Sequence, residues 1–146
     1  MSSTRQYASC AVAHHLVGID VDAVQEVTTV VDMTPVPLAA ETISGLLNLR
    51  GEIVTAIDLR RCLQLPDRPA GQGAVNVILC TDDGPVGVLV DHVGDVVNVD
   101  DAQFEATPRT LQGRGSELIA GIYKLKDQLL LVVDKSALLA TACGQP

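Results

Sequence analysis

The stretch GLLNLRGEIVTAID, residues 45–58, decides the fold because it has the pattern of a β-hairpin and occurs twice in the chain. Two apolar segments flank Arg50 and Gly51, and a glycine suits the left-handed backbone that a tight hairpin turn requires. GIYKLKDQLLLVVD, residues 121–134, aligns with it at an offset of 76 residues. Each copy ends in an Asp that is placed to cap a short following helix.

A second internal match precedes the hairpin. GIDVDAVQEV, residues 18–27, aligns with GVLVDHVGDV, residues 87–96, at an offset of 69 residues. Two matches in the same order indicate a duplicated unit, at about 7–66 and 74–140, joined by the loop-like linker PDRPAGQG at 66–73. We expect the extra residues of the second unit in TPRTLQGRGSE, 107–117. Each unit is long enough for a small barrel of short strands.

The composition favours β-structure built on aliphatic side chains. The chain has 146 residues, of which 47% are hydrophobic but only 2% aromatic. Valine recurs throughout, and β-branched residues favour strands. Because exposed sheet edges invite aggregation, closure into two barrels is favoured over two open sheets. We expect a mostly β chain with short helices, one of them over residues 38–44 and ending at Gly45.

The charge and the cysteines exclude several classes of protein. A net charge of −8 argues against binding to nucleic acid or to an anionic membrane surface. No apolar run approaches the roughly 20 residues of a membrane helix, and the start of the chain lacks the layout of a secretory signal. The four cysteines, Cys10, Cys62, Cys80 and Cys143, form no CxxC pair. They predict a reduced cytoplasmic protein, with Cys62 and Cys80 as buried packing thiols.

No set of residues has the spacing of a catalytic or metal site. His14 and His15 are adjacent at a predicted turn, where neighbouring side chains diverge, and no Cys, His or carboxylate set has metal-ligand spacing. QGRGS, residues 112–116, lacks the lysine of a phosphate loop, and neither GxSxG nor GxGxxG occurs. The chain is therefore predicted to be no enzyme, to need no metal or cofactor, and to function through its surface.

Arg50 is the candidate for that surface. It occupies the hairpin tip, where the second copy has Lys126 and Asp127, so the turn itself does not require Arg-Gly. A planar guanidinium with five donors suits a protein interface, whereas the alternative is a solvated turn residue. Glu26 is either an exposed strand charge or a partner contact, and its counterpart is Asp95.

Four blocks of the chain resemble the CheW family of chemotaxis coupling proteins, over roughly residues 7–139. They are VQEV followed by TPVP, GLLNLRGEIVTAIDLRRCL, GVLVDHVGDV and IAGIYKLKDQLLLVVDKSALL. The NLRG turn with its apolar run and Asp-Leu-Arg, residues 48–60, is the most specific. The resemblance implies a single CheW-like domain over 1–146, made of two five-stranded SH3-like barrels packed together. The short N-terminal strand and Lys135 depart from the family pattern.

The resemblance also implies a function. Such proteins are non-catalytic adaptors that couple methyl-accepting chemoreceptors to the CheA histidine kinase. The expected partners are the cytoplasmic receptor tip and the regulatory domain of the kinase, with neither nucleic acid nor membrane insertion. The expected location is the cytoplasm, with recruitment to membrane-associated receptor arrays.

In this family, the arginine of NLRG and the acidic residue of the VxEV segment are associated with partner binding, which here means Arg50 and Glu26. Arg50 would then lie at the tip because its partner is outside the chain. The predicted binding set adds their neighbours Val24, Val27, Asn48, Leu49 and Gly51.

Two alternatives stay open at this point. In place of a chemotaxis adaptor, one alternative is a CheW-like scaffold of a non-chemotaxis chemosensory pathway, and the other, from another class, is a small-molecule-binding or enzymatic β-barrel. The second alternative requires a deep pocket with convergent polar groups between the two lobes.

Overall fold

A computed structural model describes residues 4–29, 33–37, 41–69, 71–82, 84–106 and 118–142. The predicted insertion at 107–117, which includes QGRGS, and Cys143 lie outside these ranges. The described elements are, in chain order, β1 (Thr4–Val12), β2 (His15–Asp20), a 3-10 turn (Val21–Ala23), β3 (Val24–Thr29), β4 (Ile43–Leu49), β5 (Glu52–Asp58), α1 (Leu59–Cys62), β6 (Val75–Leu79), β7 (Val86–Val90), β8 (His92–Asp100), a second 3-10 turn (Asp101–Gln103), β9 (Ile119–Lys124), β10 (Leu129–Val133) and α2 (Lys135–Ala142).

The predicted hairpin and helix caps are confirmed. β4 and β5 pair antiparallel, and the turn between them has left-handed Arg50 and Gly51, with φ of 52° and 88°. The Asp58 carboxylate accepts the Arg60 backbone N–H at 3.0 Å and so caps α1. Asp134 takes the same role at α2, where its Oδ1 accepts the Ala137 N–H at 3.2 Å.

The prediction of a helix over 38–44 is wrong in its described part. Ile43 already belongs to β4, where it pairs with Ile57 of β5. Gly45 is a strand residue rather than a helix end, and a Cβ placed there would lie 2.7 Å from the Thr34 carbonyl oxygen. Long-range strand pairing has overridden a local helix pattern, and the glycine is required by the close approach of a neighbouring segment.

The ten described strands form two five-stranded sheets. We call barrel 1 the sheet with strand order β8-β1-β2-β10-β9, and barrel 2 the sheet with order β3-β6-β7-β5-β4. Each barrel takes two strands from one predicted repeat unit and three from the other, so the units and the barrels do not coincide. β2 and β7 occupy equivalent central positions, and each pairs parallel with a strand of the other unit, β10 or β5.

Matching backbone bridges close each sheet. The segment after β3 returns to the opposite edge of barrel 2, where Thr34 and Leu46 exchange two backbone hydrogen bonds of 2.8 Å. In barrel 1 the segment after β8 does the same through Glu105 and Ile122, at 2.9 and 2.7 Å. The prediction of a mostly β chain, with two five-stranded SH3-like barrels and short helices, is confirmed.

One apolar cluster joins the two barrels. It combines side chains of β1 and β2 with side chains of β5, β6 and β7, and these residues are at most 4% exposed: Cys10, Val12, Val17, Ile19, Ile57, Val77, Leu79, Val88 and Val90. A second, smaller cluster lies within barrel 1 and contains both tyrosines, Tyr7 and Tyr123. Because aliphatic side chains from both barrels share one core, the barrels pack together.

The cysteines divide into buried and exposed. Cys10 and Cys62 are buried, and burial raises the pKa of each thiol to about 12, so both are unreactive near neutral pH. The prediction of a buried packing thiol is correct for Cys62 but wrong for Cys80, which is exposed just beyond the end of β6.

The helices of the described ranges are all too short or too polar to cross a lipid bilayer.

Candidate partner-binding surface

The tip of the β4–β5 hairpin presents Arg50 to solvent. The Asn48 side chain fixes the turn, since its Oδ1 accepts the Gly51 backbone N–H at 2.7 Å. The Arg50 side chain is 69% exposed, so little of its length is held by packing. The hairpin therefore holds the backbone of the tip and leaves the guanidinium accessible.

The structure brings together the two residues predicted to bind partners. Nη2 of Arg50 donates to Oε2 of Glu26 on β3, and the Glu26 side chain is 24% exposed. β3 and β4 lie at opposite ends of the strand order of barrel 2, so this ion pair connects them across the closure of the barrel. The expectation that the partner of Arg50 lies outside the chain is thus incomplete, because Arg50 already has an intramolecular partner.

The other predicted residues surround this ion pair with different exposures. Asn48 is exposed and Leu49 is half-buried, whereas Val24 is half-buried and packs against the shared core. Val27 is 46% exposed and follows Glu26 on β3, so the two side chains point to opposite faces of the strand. Val24 therefore contributes to packing more than to any free surface.

Sequence reasoning missed Ile53, the most exposed large apolar residue of the described chain at 63%. Ile53 lies on β5 directly opposite Asn48 on β4, and one further residue pair, Leu49 and Glu52, separates them from the turn. β5 carries no sequence signal for this exposure, because Ile53 and the buried Val54, Ala56 and Ile57 are all apolar.

Barrel 1 repeats the apolar part of this surface without the ion pair. Val96 and Leu129, which are the repeat counterparts of Val27 and Ile53, are 50% and 49% exposed. Asp95 and Lys126, the counterparts of Glu26 and Arg50, are also exposed, and no ion pair links either of them to another described residue. The two barrels thus share an exposed apolar pair and differ in charge pairing.

A second feature missed in the sequence is a buried ionic network in barrel 2. Two hydrogen bonds of 2.9 and 2.5 Å join the Arg60 guanidinium to the Asp91 carboxylate. Arg68, from the linker, donates to Asp91 at 2.8 Å and to both oxygens of Asp58 at 3.1 and 3.2 Å. These four side chains are between 4% and 11% exposed. Asp58, Arg60 and Arg68 are close in sequence, but the network also needs Asp91, 23 residues beyond Arg68, and nothing in the sequence marks either arginine as buried.

The network fixes the junction between the barrels. Asp91 connects β7 of barrel 2 to β8 of barrel 1, and its Oδ2 also accepts the backbone N–H of Ala13, in the β1–β2 turn, at 2.8 Å. Burial acts to raise the pKa of Asp91, but hydrogen bonds from Arg60 and Ala13 and the charges of Arg60 and Arg68 outweigh it and lower the pKa to about 2. Asp91 therefore stays ionised over the physiological range.

Within the described residues, no group of three His, Cys, Asp or Glu side chains is arranged to hold a metal ion. His14 lies in the β1–β2 turn and His15 begins β2, and both are exposed. The arrangement around Arg50 can form hydrogen bonds and apolar contacts with another molecule, and it presents no nucleophile paired with a base.

Comparison with known proteins agrees with this architecture. The CheW-like domain family matches residues 6–143. The chain is 29% identical over 133 residues to the chemotaxis protein CheW of Treponema pallidum, covering 88% of this chain and 78% of that protein. It is 33% identical over 112 residues to the chemotaxis protein CheW of Bacillus subtilis, covering 77% and 72%.

A solved structure gives the same result. The crystal structure of the scaffolding protein TtCheW from Thermoanaerobacter tengcongensis superposes with a TM-score of 0.82 at 26% sequence identity, covering 91% of this chain and 86% of that one. With nearly the whole chain matched by one family and one fold, this protein belongs to the CheW-like domain family.

Proposed function

We propose that this chain is a non-catalytic adaptor that couples methyl-accepting chemoreceptors to a CheA-type histidine kinase in the cytoplasm. Membership in the CheW-like family supports the adaptor role. The observation that carries the choice of surface is the Arg50–Glu26 ion pair, in which Arg50 is 69% exposed at the tip of the hairpin that carries the exposed Ile53.

The ion pair orients Arg50 without saturating it. A guanidinium has five N–H donors, and Glu26 accepts from Nη2 alone. No other described residue accepts from the remaining donors, so they can meet carboxylates or carbonyl groups of a receptor helix, while Ile53 supplies exposed apolar surface near the hairpin tip. Because Glu26 already restrains the side chain, binding loses less conformational entropy than it would with a free arginine.

The repeated apolar pair gives the adaptor a second surface. Val96 and Leu129 on barrel 1 are exposed to a similar extent as Val27 and Ile53 on barrel 2. We assign the Arg50 surface on barrel 2 to the receptor tip. The second surface, formed by the exposed Val96 and Leu129 on barrel 1, is assigned to the kinase regulatory domain. Contacts at two surfaces build an array in which modest affinity at each is sufficient. Receptor state then changes kinase activity through different contacts in two array states.

The first test replaces the guanidinium. Arg50→Ala is expected to weaken binding to a receptor signalling tip by about 1–3 kcal/mol, because an interface arginine and its hydrogen bonds are lost. Isothermal titration with a purified receptor fragment measures the affinity, and circular dichroism checks the fold. Lys126→Ala, the repeat counterpart on barrel 1, is the matched control and should bind as the wild type does. Equal loss in both variants, or none in either, would remove Arg50 from the interface.

The second test reverses the charge of its partner. Glu26→Lys is expected to repel Arg50, displace it from its restrained position and reduce receptor binding about tenfold, while kinase binding through the other surface is retained. Co-sedimentation with receptor-containing vesicles, with and without the kinase regulatory domain, separates the two effects. Normal receptor-dependent kinase activation by this variant would contradict the assignment of Glu26.

A further inference from the structure

Barrel 1 has an open groove at the place where barrel 2 holds two arginines. Its volume is about 460 Å³, and Asp22 and Asp134 are among its lining residues. By the two repeat offsets, these residues are the counterparts of Asp91 and Asp58. The same pair of carboxylate positions is thus engaged by guanidinium groups in one barrel and faces an open cavity in the other.

The filled barrel shows which chemical group fits between these positions. The guanidinium of Arg68 bridges the two carboxylates there, with hydrogen bonds of 2.8 Å to Asp91 and of 3.1 and 3.2 Å to Asp58. In barrel 1 the counterpart of Arg60 is Ser136, an exposed residue too short to cross the groove. Arg60, the cation that helix α1 places against Asp91 in barrel 2, therefore has no positively charged counterpart in barrel 1.

The groove has an excess of negative charge. Asp20, where barrel 2 has Leu89, adds a third carboxylate to the lining. Of the described residues, two cations also line the groove, but Arg5 is held by Asp101 outside it at 2.6 Å, which leaves Lys135 as the described cation not paired in this way. Three carboxylates facing one uncommitted ammonium attract a further cation.

The apolar wall of the groove suits a planar cation. The three aromatic residues of the chain pack together in barrel 1, with ring centroids of Tyr123 and Phe104 5.3 Å apart and those of Tyr7 and Tyr123 5.7 Å apart. Tyr7 and Phe104 line the groove, and Phe104 is 40% exposed. A guanidinium stacks on aromatic rings while it donates in its own plane to carboxylates, which a compact ammonium does less well.

We propose that this groove binds an arginine side chain of a partner polypeptide, with the guanidinium between Asp22 and Asp134. Asp20, Asp22 and Asp134 line the groove, but no three such side chains of the described residues are arranged to hold one metal ion, so a peptide cation suits the groove better than a metal ion. The groove is lined by residues of barrel 1, by the turn after β2 and by Leu79 of β6, and neither Arg50 nor Glu26 is among them, so the proposal stands or fails independently of the proposed receptor contact.

The test uses three capped peptides of one sequence, Gly-Ala-X-Ala-Gly, in which X is arginine, lysine or the neutral isostere citrulline. They are titrated into the isotopically labelled chain, and backbone amide shifts are followed by NMR. We expect saturable shifts at Asp22, Ala23 and Lys135 with the arginine peptide, weaker binding of the lysine peptide, and at least about tenfold weaker binding of the citrulline peptide. Equal shifts with citrulline, or shifts spread over the whole acidic surface, would overturn the proposal.

Three variants test whether the arginine peptide binds in the groove. Asp22→Asn should weaken the arginine peptide about threefold to tenfold, because one charged acceptor is lost. Ser136→Arg, which introduces the arginine that barrel 2 has at Arg60, should fill the groove from within and abolish binding. Asp127→Asn makes the same change in net charge at the far end of β10 and is the control. A Ser136→Arg protein with a native spectrum and unchanged binding, or equal losses in the control, would refute the proposal.

Discussion

In barrel 2, the carboxylates of Asp58 and Asp91 are engaged by two buried arginines, whereas in barrel 1 their counterparts Asp134 and Asp22 face an open groove. The hairpin tips differ in a related way. Arg50 is paired with Glu26, but Lys126 and Asp95 form no ion pair with another described residue. The two barrels share their strand pairing, closing bridges and exposed apolar pair, and they differ in where charges are neutralised.

This contrast shows which part of the duplicated architecture is free to diverge. The strand order and strand directions that specify the barrel are equivalent in both copies, down to the parallel pairing of β5 with β7 and of β10 with β2. Ion pairs contribute little to specifying a β-barrel, so they can change without loss of the fold. In barrel 2 the carboxylates form ion pairs with arginines of the same chain, whereas in barrel 1 their counterparts line an open groove.

The largest expected effect is on the free energy of unfolding, and it distinguishes Asp91, in the buried network, from its repeat counterpart Asp22. Asp91→Asn leaves the Arg60 guanidinium without its carboxylate and is expected to lower the free energy of unfolding by about 3–5 kcal/mol. Asp22→Asn, at the exposed counterpart, should change it by less than about 0.5 kcal/mol. Urea unfolding followed by circular dichroism measures both. Similar losses at the two positions would mean that the barrels are not different in this respect.

Lowering the pH should remove the stabilisation by the Asp91 carboxylate without a mutation. The pKa of Asp91 is lowered to about 2 from an ordinary value of 3.8, so its contribution to stability is complete above about pH 4 and is lost as the pH falls through 2. The shift corresponds to about 2 kcal/mol. Urea unfolding at intervals between pH 5 and pH 2 should show that the wild type loses about this much more stability than Asp91→Asn. Parallel acid profiles would show that the Asp91 carboxylate is not stabilised as described.

The smallest effect concerns the hairpin tips. A double-mutant cycle on Glu26 and Arg50, with alanine at each, is expected to give a coupling energy of about 0.2–1 kcal/mol in unfolding experiments, since Arg50 is largely exposed. The same cycle on Asp95 and Lys126 should give a coupling near zero. Raising the salt concentration should reduce the first value towards the second. A coupling that persists at high salt would indicate packing rather than charge.

Local sequence patterns predicted much of the fold. The Arg50-Gly51 turn and the Asp58 cap each depend on neighbouring residues, and the structure has both. The exchange of strands between the repeat units was not predictable in this way, because nothing in β2 specifies that it pairs with β10 rather than with β5. The helix expected at 38–44 failed for the same reason, since pairing with distant β5 decided the outcome.

The candidate site was predicted in part. Arg50 and Glu26 were singled out separately, but their contact joins residues 24 positions apart and requires closure of the barrel. Arg60, Arg68 and Asp91 were not singled out at all, because a surface cation and a buried one look alike in a sequence. Ile53 was missed because the strand face to which it belongs is fixed by register rather than by hydrophobicity.

The exchange of strands between halves sets the order in which a ribosome can complete this molecule. Barrel 2 lacks its central strand β7 until Val90 has left the exit tunnel, and barrel 1 lacks β10 until Val133 has done so. Hairpin β1–β2 therefore keeps the outer edges of both strands unpaired until β8 and β10 have been synthesised. A nascent chain that stalls in the linker has no finished barrel to protect it.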